Sequence, residues 1–566
     1  MMFRKWFIPL LVCLVLLPAI MFAGGQKEAE GTKEAAAPTA GVSLPADALP
    51  AAQQVLNLPL SGENGAYLDF MKTMYDCITG AAWLAQEALL AFDKDLEAIP
   101  MGYTSVDVSE DGMTWTFHLR KELKWSDGQP ITAQDYVFGL QRNLNQGYDS
   151  SWYWNEVCGF KNYDKIEKGE LPVAQLGVKA LDDYTLSITT EVPKPYLLGA
   201  LVWLFPVPRH AIDKYGDEYA TKPDTMVCSG PFMVSEWVRG DHITFKRNPY
   251  YQGLWKPYVE EIVLKYGTFE PETGFPAYQN DEIYRSYLNP GQMAFAAKNM
   301  PNEMHSWPGY RIYFLSFGTS KPPFDDIRVR QAFNHAIDRE EMCSTVLKDL
   351  GTAEYSPLMS GYPGYDPKQA KSLSKYDPDL AKKLLADAGY PNGAGFPKLE
   401  MWATSHNLVM AWQKPAADYL QARFKEILGV DIVPRFIDQK VFVDARNKRT
   451  QNFLLNAYQF DYMDPSNFMD LFMTGGRLDW SNSDYDALVR RADVGKGWEN
   501  RVGLYRKAEK ILIENAPAAF IFQQLTAAVW KPYLKGEGVE ANKNGVKSWH
   551  EMWGKYIMTH VYVAEH

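Results

Sequence analysis

Between Val108 and Arg142 the hydrophobic positions change period in a way that spells out local structure. Trp115, Phe117 and Leu119 alternate with polar residues, and Leu123 and Trp125 do so again after a short basic stretch, the two-residue period of half-buried strands. This predicts two strands in succession. Ser126-Asp127-Gly128 then makes a turn, and Thr132, with Asp135 three residues on, forms an N-cap pair for a helix whose Ala133, Tyr136, Val137 and Leu140 share one face. The same grammar recurs downstream. Asp377-Pro378-Asp379 opens a helix carrying Leu380, Leu384, Leu385 and Ala388 on one side, with Gly389 at its end. Asp326 precedes a helix bearing Ala332, Phe333, Ala336 and Ile337, and another apolar-periodic helix ends at Leu428-Gly429 before a strand from Val430 to Val433. Short strands alternating with capped helices predict an α/β fold. No internal repeat is visible.

The amino terminus follows a different logic. Arg4 and Lys5 precede an apolar run from Trp6 to Phe22, too short and isolated for a comfortable membrane span, so residues 1–25 read as an export signal. Cleavage could follow Ala23 or Gly25. Cys13 lies inside the apolar run, a poor lipidation site, and a soluble periplasmic protein is expected. Residues 26–50 are rich in Ala, Glu, Gly and Pro with no apolar period and read as a disordered leader. Cys77, Cys158, Cys228 and Cys343 remain, in a compartment that permits disulfides; four cysteines allow three full pairings, and free buried thiols are the default.

At 566 residues the chain can hold two or more domains with large cores. Its net charge of −11, with both signs interspersed, gives no basic footprint for nucleic acid. Seventeen Trp and 33 Tyr suit a protein that buries a sizeable ligand, although core packing accounts for most of them. The histidines are scattered without a metal-binding spacing, and there is no HExxH, GxSxG or glycine-rich phosphate loop with a lysine, so no cofactor is implied. With 69 Asp and Glu residues some paired carboxylates arise by chance, which keeps a secreted hydrolase acting on peptide or glycan as an alternative without a positive signal.

Residues 108–142 (VSEDGMTWTFHLRKELKWSDGQPITAQDYVFGLQR) resemble the signature segment of the family 5 solute-binding proteins of ABC transporters, the oligopeptide-binding type. Further segments follow in the order that family expects. They are Gly177 to Thr189, Pro206-Val207-Pro208, Ala211 to Trp237, Arg247 to Tyr251, Lys321 to Met342, and NAYQFDYMDPSNF from Asn456 to Phe468. The resemblance implies a two-lobed clamshell, periplasmic binding protein type II, with an extra inserted subdomain. Lobe I would be about 51–268 with the insert at about 71–194, lobe II 269–509, and 510–566 the return to lobe I. The implied function is extracytoplasmic capture of oligopeptides for an ABC importer, by a monomer that closes on its ligand and delivers it to a membrane permease driven by ATPase subunits; oligosaccharides are the alternative cargo. The peptide backbone would pair like an added strand. Asp461 matches the acid that anchors the peptide's ammonium group. Tyr458 and Trp152 match pocket-lining aromatics from opposite lobes, and Thr73, Met74 and Tyr75 fall in a loop that pairs with ligand backbone. Three positions depart from the family pattern, and the first two point to a reshaped pocket. Phe460 replaces a small residue, Gln439 stands where peptide binders can carry Trp, and Ala88 replaces a glycine, which requires its backbone to avoid positive φ.

Overall fold

The computed structural model describes residues 42–60, 67–72, 79–148, 150–348, 350–549 and 554–566. The expectations for the export signal, Cys13, Cys77, Thr73, Met74 and Tyr75 lie outside them. Thr114–Leu119 is a strand that buries Trp115, Phe117 and Leu119. Its ladder partners are Tyr103–Val108 on one edge and Thr185–Thr189 on the other, and Val178–Asp182 completes a four-stranded antiparallel sheet. The expected second strand does not form. Leu123 and Trp125 are buried, yet their stretch makes only a single bridge, Lys124 to Pro130, because Gly128 at φ +87° turns the chain back at once. Helix Ala133–Gln146 starts where its cap predicts: the Asp135 carboxylate accepts from the Thr132 backbone N–H at 2.7 Å and its hydroxyl at 3.2 Å.

Two further sheets carry most of the remaining strands. In the smaller, Val55–Pro59 runs parallel to Glu261–Lys265, followed by His242–Arg247 and Phe232–Val238. The larger has the order Arg285–Tyr287, Ala518–Trp530, Met304–Phe317, Phe453–Gln459, Leu399–Thr404, Ile432–Ile437, with Gly351–Ala353 also on Ala518–Trp530. Almost every residue of Ala518–Trp530 is buried, as befits a strand paired on both edges beneath helices. The predicted helices form as Ile327–His335, Pro378–Asp387 and Asn407–Leu428, the first two capped by Asp326 and Asp377. The two sheets meet where the Tyr284 N–H donates to the Asn57 carbonyl at 2.7 Å.

Two expected boundaries shift. The return at about residue 510 comes later, because Ala518–Trp530 is still a central strand of the larger sheet; the chain rejoins the smaller sheet's side through Val563, whose N–H and carbonyl are both bonded by the buried Gln54 side chain at 2.9 Å. The leader's last residues are ordered rather than loose, since Ala48 bridges Ala564 and the Leu49 N–H donates to Val563. Cys158, Cys228 and Cys343 are buried thiols.

Arg339 ties the larger sheet to its helices. It is 1% exposed, and its guanidinium donates to the carbonyls of Phe520 (2.7 Å), Asn334 (3.3 Å), Ile337 (3.2 Å) and Ser374 (3.0 Å) and to the Asn334 side chain. Arg339→Met fills similar volume but strands these acceptors, each costing about 1–3 kcal/mol. The urea midpoint is expected to fall by the equivalent of at least about 3 kcal/mol, with Arg339→Lys recovering only part because an ammonium lacks the planar fork.

Candidate functional site

The larger sheet delivers the NAYQFDYMDPSNF motif. Phe453–Gln459 pairs antiparallel with Met304–Phe317, Ile312 opposite Tyr458 and Arg311 opposite Gln459. The chain then leaves the ladder and turns at Asp464-Pro465. Asp464 is wholly committed to that turn. Its Oδ1 accepts from the Ser466 N–H (3.0 Å) and hydroxyl (2.8 Å), and both its oxygens accept from Arg501, at 2.7 and 2.8 Å. With both partners buried, this forked pair holds the geometry of everything before it.

Asp461 is held differently. Its N–H donates to the Asn467 side-chain oxygen at 2.8 Å, and its Oδ2 accepts from the Tyr458 hydroxyl (2.5 Å) and the Asn467 amide (3.0 Å). Among the described residues no group donates to Oδ1. Desolvation pushes the carboxyl above its ordinary value, opposed by the bonds from Tyr458 and Asn467 and by the charge of Arg477.

Tyr458 and Asn467 line a cavity of about 510 Å³ whose other walls include Trp152, Glu156, Val443, Arg446, Arg449, Tyr462, Asp470 and Arg477. Trp152 precedes a short π-helix, Tyr153–Val157, in the segment between the strands of the inserted sheet. The Arg477 guanidinium lies over both the Trp152 ring (4.9 Å) and the Tyr458 ring (4.7 Å). Nearby, the Trp203 indole N–H donates to the Asp461 carbonyl at 3.1 Å, and Tyr196 stacks on Tyr462 with centroids 5.2 Å apart. A second cavity, of about 230 Å³, lies at the same end of this strand pair, next to Gln459 instead of Tyr458, walled by Trp307, Trp412, Trp549, Phe269, Arg311 and Gln459.

The description that matches this chain, over residues 97–480, is that of the bacterial extracellular solute-binding proteins, family 5, middle region. The chain belongs to that family. Among curated relatives, a probable deoxycholate-binding periplasmic protein of Escherichia coli is 30% identical, over 88% of this chain and 94% of its own. The periplasmic oligopeptide-binding protein OppA of the same organism is 29% identical over 80% and 83%. Among solved structures, a periplasmic oligopeptide-binding protein of Borrelia burgdorferi is 30% identical, covers 86% of this chain and 97% of its own, and superposes with a TM-score of 0.75. The murein tripeptide binding protein MppA of Escherichia coli superposes at 0.77 with 26% identity over 91% and 99%. The fold is therefore the two-lobed clamshell of the type II periplasmic binding proteins, with the inserted four-stranded sheet as its extra element. No helix among the described residues is long and apolar enough to cross a membrane, and none of their His, Cys, Asp and Glu side chains form a group suited to a metal ion.

Within this family 5 clamshell Trp152 and Tyr458 line one cavity, and Asp461 is bonded to Tyr458 and Asn467 of its wall. Phe460 is placed elsewhere: it is 1% exposed and packs against Tyr310, Tyr362 and Phe92, filling core between the halves rather than the cavity. Gln439 sits one turn before Val443 on helix Gln439–Asn447, and its oxygen accepts from the Thr404 hydroxyl at 2.5 Å. Arg477, Asn467 and Arg449 escape sequence reasoning. Arg477 follows Gly475-Gly476 in an aperiodic loop, and Asn467 is visible only as part of a turn.

Because the folded-state pKa of Asp461 is raised, its ionised form works against folding, and the contribution it makes to stability is lost as pH rises through that value. Asp461→Asn is expected to melt at the same or a higher temperature than the parent at pH 7. Tyr458→Phe removes a bond that lowers the value, so the carboxyl should titrate higher still, readable from the ¹³C carboxyl shift of labelled aspartate.

Proposed function

We propose that this protein captures peptides by their free amino terminus between its two lobes, in the periplasm, and hands them to a membrane permease with its ATPase subunits. The observation that carries this reading is the asymmetry of Asp461. One carboxylate oxygen is pinned by Tyr458 and Asn467, and the other has no donor among the described residues. A carboxylate so held is pre-aimed, and an α-ammonium offers the donors that Oδ1 lacks. The relatives named for oligopeptide and murein tripeptide binding support the same cargo class. Trp152 and Tyr458, one from each half, supply the walls, so the complete pocket exists only when the halves are together and ligand favours that state. Thr73, Met74 and Tyr75 belong to this proposal as a segment that pairs with ligand backbone. Delivery without chemistry accords with the family, and a leader cleaved on export accords with the periplasmic setting.

A second reading has its own observation. The cavity walled by Trp307, Trp412 and Trp549 with Arg311 would suit an apolar body bearing a carboxylate, as in the relative named for deoxycholate binding.

Isothermal titration with a tripeptide and its N-acetylated counterpart separates the two. Stripping one partner from a desolvated charge pair costs about 3–5 kcal/mol, so Asp461→Ala should weaken the free peptide by about two orders of magnitude or more. The acetylated peptide should bind the parent weakly and lose nothing further in the variant. A bile acid that binds parent and variant equally, and outcompetes every peptide, would favour the second reading.

A further inference from the structure

Asp470 opens the short turn Asp470–Phe472, Asp493 ends the helix Ser483–Asp493, and the two carboxyls are within hydrogen-bonding reach of each other. Peptide capture makes no use of them. Among the described residues no N–H or O–H donates to the buried Oδ1 of Asp470, while Asp493 Oδ1 accepts from the Tyr505 hydroxyl at 2.6 Å. Two carboxylates in contact repel, and only a proton gives one of them a donor for the other. Asp493 also sits in the last turn of its helix, where the dipole disfavours a negative charge. Resting on the reading that ligand favours the assembled halves, we infer that their closure takes up a proton from solvent, held between Asp470 and Asp493, so that capture tightens as the surroundings become more acidic.

The pair lies at the junction of the halves. Asp470 lines the same cavity as Trp152 of the inserted segment. The chain leaving the inserted sheet after Thr185–Thr189 brings Lys194 and Tyr196 to this junction. The buried Lys194 ammonium donates to the Tyr196 hydroxyl at 2.7 Å, and Tyr196 stacks on Tyr462 with the Arg501 guanidinium 5.7 Å from its centroid. Across the junction the pair therefore faces Lys194 and Tyr196, and from its own side Asp464, Arg501, Tyr462, Tyr485 and Tyr505. Asp464 and Arg501 neutralise each other in their forked bond, which leaves Lys194 to balance the single charge that a proton-sharing pair keeps. Desolvation raises both carboxyls, the charge of Asp493 raises Asp470 further, and Lys194 opposes. Water admitted by opening returns them towards an ordinary Asp value of about 4, and the proton leaves. A group whose value is higher in the closed state favours closure below that raised value, and the preference is lost as pH rises through it.

Isothermal titration of a tripeptide into the intact protein, repeated in buffers of different ionisation enthalpy, counts the protons. At about pH 6.5, well above the ordinary Asp value of about 4, the parent is expected to take up protons on binding and Asp493→Asn to take up none, because the introduced amide donates to Asp470 in the proton's place. The parent's affinity should weaken by up to about tenfold per pH unit in this range, while the variant's stays level. Asp493 is not among the residues that line the cavity, so this loss is not that of a ligand contact, and melting curves confirm the fold. Asp470→Asn, which puts the donor on the other side, should also be level. Peptide binding without proton uptake overturns the inference, as does uptake that persists in Asp493→Asn. Small-angle scattering of the ligand-free protein keeps this apart from the capture reading. If no peptide binds, that reading falls, and the radius of gyration then decides the proton: a smaller value at about pH 5.5 than at about pH 8 in the parent but not in Asp493→Asn supports it, and equal values overturn it.

Discussion

The long antiparallel pairing of Met304–Phe317 with Ala518–Trp530 is the constraint on which the other features depend. One edge of Met304–Phe317 takes the late strand, the other takes Phe453–Gln459, so the position of Tyr458 is set by hydrogen bonds running the length of the sheet. Arg339 reinforces the arrangement by bonding Phe520 of that late strand to helix and loop carbonyls around it. The register is interrupted between Pro308 and Ile312, where Tyr310 takes φ +47°. The interruption lies beside the cavity-forming end, and the Tyr310 carbonyl there accepts the Phe460 N–H at 3.2 Å. A regular ladder thus passes into an irregular turn at the place where side chains must point into space instead of into core.

The two aspartates of the FDYMDP motif divide the work that this transition demands. Asp464 is saturated by Arg501 and Ser466, and its turn is further fixed by the Tyr362 hydroxyl, which donates to the carbonyls of Tyr462 (2.5 Å) and Asp464 (3.1 Å). That structural expenditure lets Asp461 remain half-satisfied. A carboxylate in such surroundings is costly to keep ionised, and the cost is borne by the fold.

Much of the architecture was legible in the chain. Thr132 with Asp135, Asp326 and Asp377 begin their helices because capping is a local transaction between residues a few positions apart. The motif around Asp461 was legible as a resemblance, and its Tyr458 shares a cavity wall with Trp152. The misreadings have physical causes. At Leu123 and Trp125 turn chemistry overrode alternation: both side chains are buried as the pattern demanded, but a glycine turn left no length for a ladder. Phe460 follows a strand whose alternation stops at Gln459, so its direction is set by Tyr310 and Phe92 from other segments and not by parity. Arg477 was invisible because a cation meeting two rings, each contributed by a different stretch of chain, leaves no trace in spacing.

The Arg477 contact with Trp152 and Tyr458 also bears on how the two walls of the pocket stay together. It rests on one ring from the inserted segment and one from the larger sheet, and so joins the two across the cavity. Contacts of this kind contribute about 0.5–2 kcal/mol each, which any separation of the two rings has to give up. The balance between the assembled and the separated pocket is thereby set partly by one arginine on its wall.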